Sequence, residues 1–92
     1  MLNNLLQVNT LFQLTTATVP SVLTLIGEDD AVLLRQDSCY LGVSNLQWPT
    51  AHLFALADDV TFRQLNVPAN IRLINDVEWV TLCATAKRVI SC

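Results

Sequence analysis

The chain has 92 residues, of which 52% are hydrophobic and 14% charged, and its net charge is −3. Ordinary globular domains carry roughly 25% charged residues, and a small domain has a large surface to cover. Some apolar side chains must therefore face a partner chain, so we predict a subunit of an oligomer. The five basic residues form no run longer than two. This argues against direct binding of nucleic acid, because phosphate backbones are recognised by clustered Lys and Arg.

No segment of the sequence indicates a membrane protein or a secreted one. No stretch approaches about 18 uninterrupted apolar residues, the length that a spanning helix needs. The first basic residue is Arg35, so the N-terminal segment lacks the positive region of a signal peptide. The sequence therefore predicts a cytoplasmic chain that does not bind a membrane.

Cysteine and glycine usage argues against several kinds of site. The three cysteines, Cys39, Cys83 and Cys92, form no CxxC pair, and His52 is the single histidine. This pattern predicts free thiols, with neither a disulfide framework nor a metal site. Cys83 is predicted in the core, on the apolar face of the last helix, and Cys92 is predicted to be accessible. Two glycines cannot build a GxGxxG motif or a P-loop, so we predict no cofactor.

The first third of the chain predicts one strand and one helix. Residues 2–8, LNNLLQV, are typical of a first strand. Apolar residues recur between residues 10 and 26 at spacings that suit a helix. Within this range Pro20 marks the first turn of a helix that runs to Ile26, and the residues before it form either a loop or a separate short helix. Gly27 then fits the left-handed position that ends a helix.

The rest of the chain repeats a strand, an aspartate and a helical segment. The run Ala31–Leu34 has no polar break, as in a strand that is covered on both faces. Further strands are predicted at residues 53–57 and 71–75, whereas residues 89–92 are too few to assign. Helical segments are predicted at residues 38–45, 58–65 and 76–86. Such βα units predict the α/β fold class, as a single three-layer domain over residues 1–92 with a mostly parallel sheet of four or five strands.

Five polar residues follow the predicted strands: Asp37, Ser38, Asp58, Asp59 and Asp76. In open α/β sheets, ligands and partners meet the carboxyl ends of the strands. These residues therefore form a predicted acidic rim for a partner protein. The alternative is that the aspartates are N-caps of the helices that follow them. No spacing among them indicates a metal site.

One cysteine and two tryptophans complete the candidate site residues. Cys39 lies in the first turn after the central strand, where the dipole of a helix N-terminus lowers the pKa of a thiol. The alternative is that Cys39 is a small apolar residue packed behind Asp37. Trp79 is either a core residue or an interface anchor, and Trp48, just before a proline, is a packing residue in a loop or at the rim of an interface.

Three blocks of sequence, in this order, resemble the TusB/DsrH family of sulfur-relay subunits: VLLRQDSCY, HLFALADDVTFRQL and IRLINDVEWVTLC. The matching positions are Leu33–Asp37 with Tyr40, Phe54–Leu56 with Asp59-Val60, and Leu73–Asp76 with Trp79. The resemblance covers about residues 2–86 and implies a small flavodoxin-like fold. It also implies assembly with two homologous subunits, of the TusD/DsrE and TusC/DsrF types, as a heterohexamer.

The resemblance implies a complex that passes persulfide sulfur on a cysteine, either toward 2-thiouridine at the tRNA wobble position or within sulfur oxidation. In the tRNA branch the carrier cysteine belongs to the TusD-type subunit, which makes a TusB-like chain mainly structural and non-catalytic. Some DsrH members carry a cysteine in the first helix, and residues 20–25 contain none here, which favours the tRNA branch. Two alternatives stay open. Cys39 carries sulfur itself, or the chain is a stand-alone homo-oligomeric interaction module.

Overall fold

A five-stranded sheet forms the centre of the computed structural model, which describes residues 8–92. The strands are β1 (Thr10–Leu14), β2 (Ala31–Leu34), β3 (His52–Leu56), β4 (Ile71–Ile74) and β5 (Arg88–Ser91). Their order across the sheet is β4-β3-β2-β1-β5, and all neighbouring pairs are parallel. The helices are a first 3₁₀ helix (Ser21–Leu25), a second 3₁₀ helix (Gln36–Val43), α1 (Ala57–Phe62) and α2 (Asp76–Thr85). The predicted α/β fold class is confirmed.

Strand β2 occupies the middle of the sheet, as its uninterrupted apolar sequence predicts. Its four residues are each 0% exposed, because β1 and β3 pair with it on its two sides and its side chains alternate between the two faces. Val32 and Leu34 pack in the core of one face, and Ala31 and Leu33 in the core of the other. Burial on both faces thus explains the absence of polar residues.

The two faces of the sheet are covered by different elements, and the strand order explains why. From β1 to β4 the chain crosses the sheet one strand at a time in one direction, and right-handed crossovers place these connections on the same face. The two 3₁₀ helices and α1 pack there, so we name it the α1 face. The connection from β4 to β5 returns across the sheet. Helix α2 therefore packs on the opposite face, the α2 face, through Leu82.

The prediction of helical structure over residues 10–26 is wrong in its first part. Thr10–Leu14 form β1, and the helix is confined to a 3₁₀ turn at Ser21–Leu25. All five residues of β1 are buried. Pairing with β2 and β5 buries them, and this tertiary context overrides the weak helical spacing.

Two further differences concern the ends of the chain. The strand predicted at residues 2–8 lies outside the described residues, except for Val8, which belongs to no strand. Residues Arg88–Ser91, which the sequence pattern leaves unassigned, form β5 and pair with β1. All four are exposed at the edge of the sheet, so they carry no run of apolar residues that would reveal a strand.

The aspartates that follow the strands are not the N-caps of the helices, so this alternative is wrong. The N-cap residues are Arg35 for the second 3₁₀ helix, Leu56 for α1 and Asn75 for α2, and the aspartates lie inside the first turns. At α2, the Glu78 N–H donates to the Asn75 side chain at 2.8 Å, and the Asn75 N–H donates to the Glu78 carboxylate at 3.0 Å. This capping box satisfies the backbone donors at the start of α2.

Left-handed backbone occurs at two glutamines. Gln36 and Gln64 each have a φ of 53°, a region that residues other than glycine adopt uncommonly. Gln36 turns the chain from β2 into the second 3₁₀ helix.

Gly27 has no positive φ, and its N–H donates to the Asp30 carboxylate at 2.8 Å. The prediction of a left-handed Gly27 is therefore wrong.

Candidate functional site at the carboxyl edge of the sheet

The carboxyl ends of the parallel strands meet at one edge of the sheet, which we name the carboxyl edge. The predicted rim residues follow these ends: Asp37 and Ser38 after β2, Asp58 and Asp59 after β3, and Asp76 after β4. The topology therefore places all of them at the edge where α/β sheets bind ligands and partners. Asp58 and Asp76 are exposed to solvent.

Arg63 joins two of these aspartates in a contact that the sequence pattern does not reveal. Its Nη2 and Nε lie 2.9 and 3.2 Å from Asp37 Oδ1, and its Nη1 lies 3.9 Å from Asp59 Oδ1. Asp59 Oδ2 accepts a hydrogen bond from the Gln36 N–H at 2.9 Å. The hydrogen bond with Asp37 raises the pKa of the Arg63 guanidinium. The predicted acidic rim is therefore partly neutralised by its own cation.

Ser38 links the ends of β1 and β2. The side chain is fully buried, and its Oγ lies 2.7 Å from the carbonyl oxygens of both Leu14 and Arg35. The Arg35 N–H donates to the same Oγ at 2.8 Å. This burial removes Ser38 from the surface that a partner could contact.

Cys39 is packed in the core of the α1 face. It is 0% exposed, and its Sγ donates to the Leu34 carbonyl oxygen at 3.6 Å. Burial, followed by the charges of Asp59 and Asp37, raises the pKa of the thiol from 9.0 to about 11. Because desolvation of the thiolate outweighs any helix dipole, the prediction of a lowered pKa is wrong. The alternative of a small packed residue is confirmed.

The raised pKa of Cys39 predicts a loss of stability at alkaline pH. The thiol ionises near pH 9.0 in the unfolded chain and near pH 11 in the folded chain. Its contribution to the free energy of unfolding is therefore complete below pH 9 and disappears as the pH rises through 11. Between pH 9 and pH 11 we expect the free energy of unfolding of the unaltered chain to fall by about 2 kcal/mol more than that of Cys39→Ala. Urea unfolding at each pH measures the difference.

The matched control for this pH dependence is Cys92→Ala, because Cys92 is exposed and its ionisation is coupled more weakly to folding. We expect this variant to follow the unaltered chain across the same pH range. If the free energies of unfolding of Cys39→Ala and of the unaltered chain changed by the same amount between pH 9 and pH 11, a buried, protonated thiol would be contradicted.

The other two thiols differ in exposure. Cys83 is half-buried on α2 beside the core of the α2 face, so its prediction as a core residue holds in part. Cys92 is exposed, which confirms the prediction for this residue. Partial burial raises the pKa of both thiols.

Cys92 lines a cavity of about 380 Å³ at the carboxyl end of β1. The lining residues are Leu14, Thr16, Thr18, Val19, Pro20, Ser21, Val22 and Cys92. The strand order reverses between β1 and β5, where open α/β sheets form a binding crevice. The sequence pattern does not reveal this cavity, because Cys92 is far along the chain from the other lining residues, which lie between residues 14 and 22.

Trp79 connects α2 to the sheet. It is half-buried, and its Nε1 donates to Gln13 Oε1 at 2.8 Å, while Gln13 Nε2 lies 3.4 Å from Ser91 Oγ. The Arg35 guanidinium carbon lies 4.3 Å from the centroid of the Trp79 ring. Trp48 is half-buried and packs against the core of the α1 face. The interface roles predicted for both tryptophans stay predictions.

Metal-binding clusters and membrane-spanning helices are both absent from residues 8–92. No three His, Cys, Asp or Glu side chains in this range lie close enough together to hold a metal ion. No helix in the same range is both long enough and apolar enough to cross a membrane.

Residues 13–89 match a family model described as DsrH like protein. The match extends from β1 to β5. It contains Arg63 with its partners Asp37 and Asp59, and also the Arg35–Trp79 contact. The chain belongs to the DsrH-like family. A search of curated proteins found no significant match. Membership in the DsrH-like family confirms the resemblance of the three sequence blocks and points to a sulfur-relay subunit.

Each of the three blocks forms one strand and the helix after it in this DsrH-like chain. The first block forms β2 with the start of the second 3₁₀ helix, the second forms β3 with α1, and the third forms β4 with most of α2. The residues that carry the family resemblance therefore lie around the carboxyl edge, where each strand passes into a helix.

Proposed function

We propose that this DsrH-like chain is a non-catalytic, mainly structural subunit of a cytoplasmic sulfur-relay complex. Its partners are TusD/DsrE-like and TusC/DsrF-like subunits in a heterohexamer, which passes persulfide sulfur toward 2-thiouridine at the tRNA wobble position. The family match over residues 13–89 carries this proposal. The chain itself does not contact the tRNA, in keeping with its net charge of −3.

The burial of Cys39 supports a structural role. In persulfide transfer the acceptor thiolate attacks the outer sulfur of the donor persulfide, a new S–S bond forms on the acceptor, and the donor leaves as a thiolate. Cys39 is 0% exposed with a thiol pKa of about 11, so roughly one molecule in ten thousand would be ionised at pH 7. The alternative in which Cys39 carries sulfur therefore lacks an accessible nucleophile.

Exposed apolar side chains support assembly with other subunits. Their exposure runs from 39% for Ile90 to 83% for Phe62. The set comprises Val19, Leu25, Tyr40, Val43, Phe62, Leu73, Val77, Val80, Val89 and Ile90. Only 14% of the residues in the chain are charged, and exposed apolar side chains in such numbers are typical of subunits that bury area against partners.

The proposal predicts that tRNA thiolation survives the loss of all three thiols. A chain with Ser at Cys39, Cys83 and Cys92, co-expressed with both partner subunits, should assemble and support unchanged 2-thiouridine levels. Mass spectrometry of digested tRNA measures the product, and native mass spectrometry verifies the complex. The matched control is Ser at the carrier cysteine of the TusD/DsrE-like subunit, which should abolish thiolation.

Two outcomes would contradict the proposal. Loss of thiolation in a fully assembled complex of the triple variant would assign sulfur transfer to this chain, and single Ser variants would then identify the residue. A well-defined homo-oligomer of the unaltered chain that ignores both partner subunits would favour the stand-alone interaction module.

A further inference from the structure

Phe62, the last residue of α1, is the most exposed of the large apolar side chains in residues 8–92. It is 83% exposed. On the same helix Val60 packs in the core of the α1 face, so α1 carries apolar side chains both toward the core and toward solvent. Aromatic rings bury more apolar area than most side chains and are enriched in protein interfaces. An aromatic ring with this exposure is therefore suited to contact another protein.

Arg63 connects Phe62 to the second 3₁₀ helix. The guanidinium carbon of Arg63 lies 5.6 Å from the centroid of the Phe62 ring, and its Nη2 lies 2.9 Å from Asp37 Oδ1. A second contact joins the same two elements, because Asp59 Oδ2 accepts a hydrogen bond from the Gln36 N–H at 2.9 Å. Phe62 and Asp37 therefore lie on neighbouring elements and belong to one continuous surface.

Tyr40 and Val43 extend this surface along the second 3₁₀ helix. Residues three apart in a 3₁₀ helix lie on the same side of it. Asp37, Tyr40 and Val43 have this spacing and are all exposed, whereas the four residues between them are buried. Tyr40 is 45% exposed and Val43 is 44% exposed. The side of the helix that faces solvent thus starts with the carboxylate that contacts Arg63 and continues with two apolar side chains.

The charges that reach solvent around Phe62 are negative. Asp58 is exposed in the first turn of α1, and it lies next to Phe62 on the helix surface because the two residues are four apart. The side chain of Asp37 is 64% exposed, whereas that of Arg63 is only 16% exposed. Arg63 therefore holds the surface together and presents little positive charge of its own.

We propose that Phe62, Tyr40 and Val43, flanked by Asp37 and Asp58, form a docking surface, the Phe62 surface, for a partner subunit that presents a Lys or Arg within an apolar patch. This inference rests on the proposed function, which supplies the partner subunits, and it names the face of the chain that enters the complex.

Charge complementarity determines the chemistry of the partner. Exposed carboxylates beside an apolar patch favour a basic side chain beside another apolar patch. A second copy of the chain, related by a two-fold axis, would bring the same surface against itself. The carboxylates of Asp37 and Asp58 would then face each other across the interface, and such juxtaposition of like charges is unfavourable. A different subunit with the opposite charge avoids this repulsion.

Phe62→Ala tests the apolar part of the Phe62 surface. We expect the dissociation constant of the chain from the purified pair of partner subunits to rise at least about 30-fold. Because Phe62 is 83% exposed, the variant should keep the urea midpoint of the unaltered chain. The matched control is Leu25→Ala, at a 71% exposed residue just before the turn that leads into the amino end of β2. It should leave the dissociation constant unchanged.

Asp58→Lys tests the charge of the same surface. We expect slower association and a dissociation constant at least about tenfold higher at low salt, with a smaller difference at high salt, because salt screens the repulsion between two basic groups. The matched control is Asp29→Lys, at an exposed residue two positions before β2. It changes the net charge of the chain by the same amount at the opposite edge of the sheet and should bind like the unaltered chain.

Three outcomes would overturn the Phe62 surface. Unchanged binding by both Phe62→Ala and Asp58→Lys, alongside an intact complex of the unaltered chain, would do so and leave the proposed function standing. Self-association of the unaltered chain that Phe62→Ala abolishes would assign the surface to a second copy. Failure of the unaltered chain to bind either partner subunit would overturn both the surface and the proposed function.

Discussion

Leu33→Ala is expected to lower the free energy of unfolding by roughly 3 to 4 kcal/mol. Leu33 is 0% exposed in the middle strand and packs in the core of the α2 face, where Phe54 and Leu82 also lie. Truncation removes buried methyl groups and leaves a cavity, because β1 and β3 hold the backbone of β2 in place. For a domain of this size the melting temperature should fall by about 15 °C or more. Urea and thermal unfolding followed by circular dichroism measure both changes.

The matched control is the same substitution at an exposed leucine. Leu25 is 71% exposed at the end of the first 3₁₀ helix, so Leu25→Ala should stay within about 0.5 kcal/mol of the unaltered chain. Equal losses at Leu25 and Leu33 would contradict the assignment of β2 to the centre of the core.

Gly42→Val is expected to destabilise the fold by about 3 kcal/mol through overpacking. Gly42 is buried in the second 3₁₀ helix, and a Cβ at this position would lie 3.0 Å from Ile71 Cδ1 and 3.1 Å from Leu34 Cδ1. The two further methyl groups of valine need more room than these core side chains leave. The expected result is a lower urea midpoint together with a weaker near-ultraviolet signal, because the second 3₁₀ helix is pushed away from the sheet.

Gly27 provides the control for this substitution. A Cβ on Gly27 would lie 3.5 Å from Asp30 Oδ2, an ordinary van der Waals contact, and the residue has no positive φ. Gly27→Val should therefore be neutral or slightly stabilising, since it restricts the unfolded chain without straining the folded one. If the two valine variants unfolded at the same urea concentration, the second 3₁₀ helix would not be packed against β2 and β4 as described.

The sequence predicts β2 and β3 because uninterrupted apolar runs are typical of strands buried in a parallel sheet. It predicts β4, which contains Arg72, because the same order of strand, aspartate and helical segment recurs there. It also places α2 within one residue, at 76–86 against the observed Asp76–Thr85. The position of the carboxyl edge follows from the same repeats, because a helix follows the carboxyl end of each of these strands. The interpretation of Cys39 as a packed residue can be made from the sequence, because Cys39 comes shortly after a buried strand.

The remaining features depend on residues that are distant along the chain. β1 is a strand because β2 and β5 pair with it, and its own five residues carry no alternation that would show this. Arg63 reaches Asp37 across 26 positions, and Trp79 reaches Gln13 across 66. The N-cap of α2 differs from the prediction for a local reason, since Asn75, one residue before Asp76, forms the cap.

The pairing of β1 with β5 also makes one edge of the sheet depend on the last strand of the chain. Strands β1 to β4 pair with their sequence neighbours, whereas β5 must return across the sheet to reach β1. Until β5 docks, the outer edge of β1, with the sequence TLFQL, has free backbone N–H and C=O groups. A chain in which β5 is undocked therefore offers a strand edge to which another chain can pair.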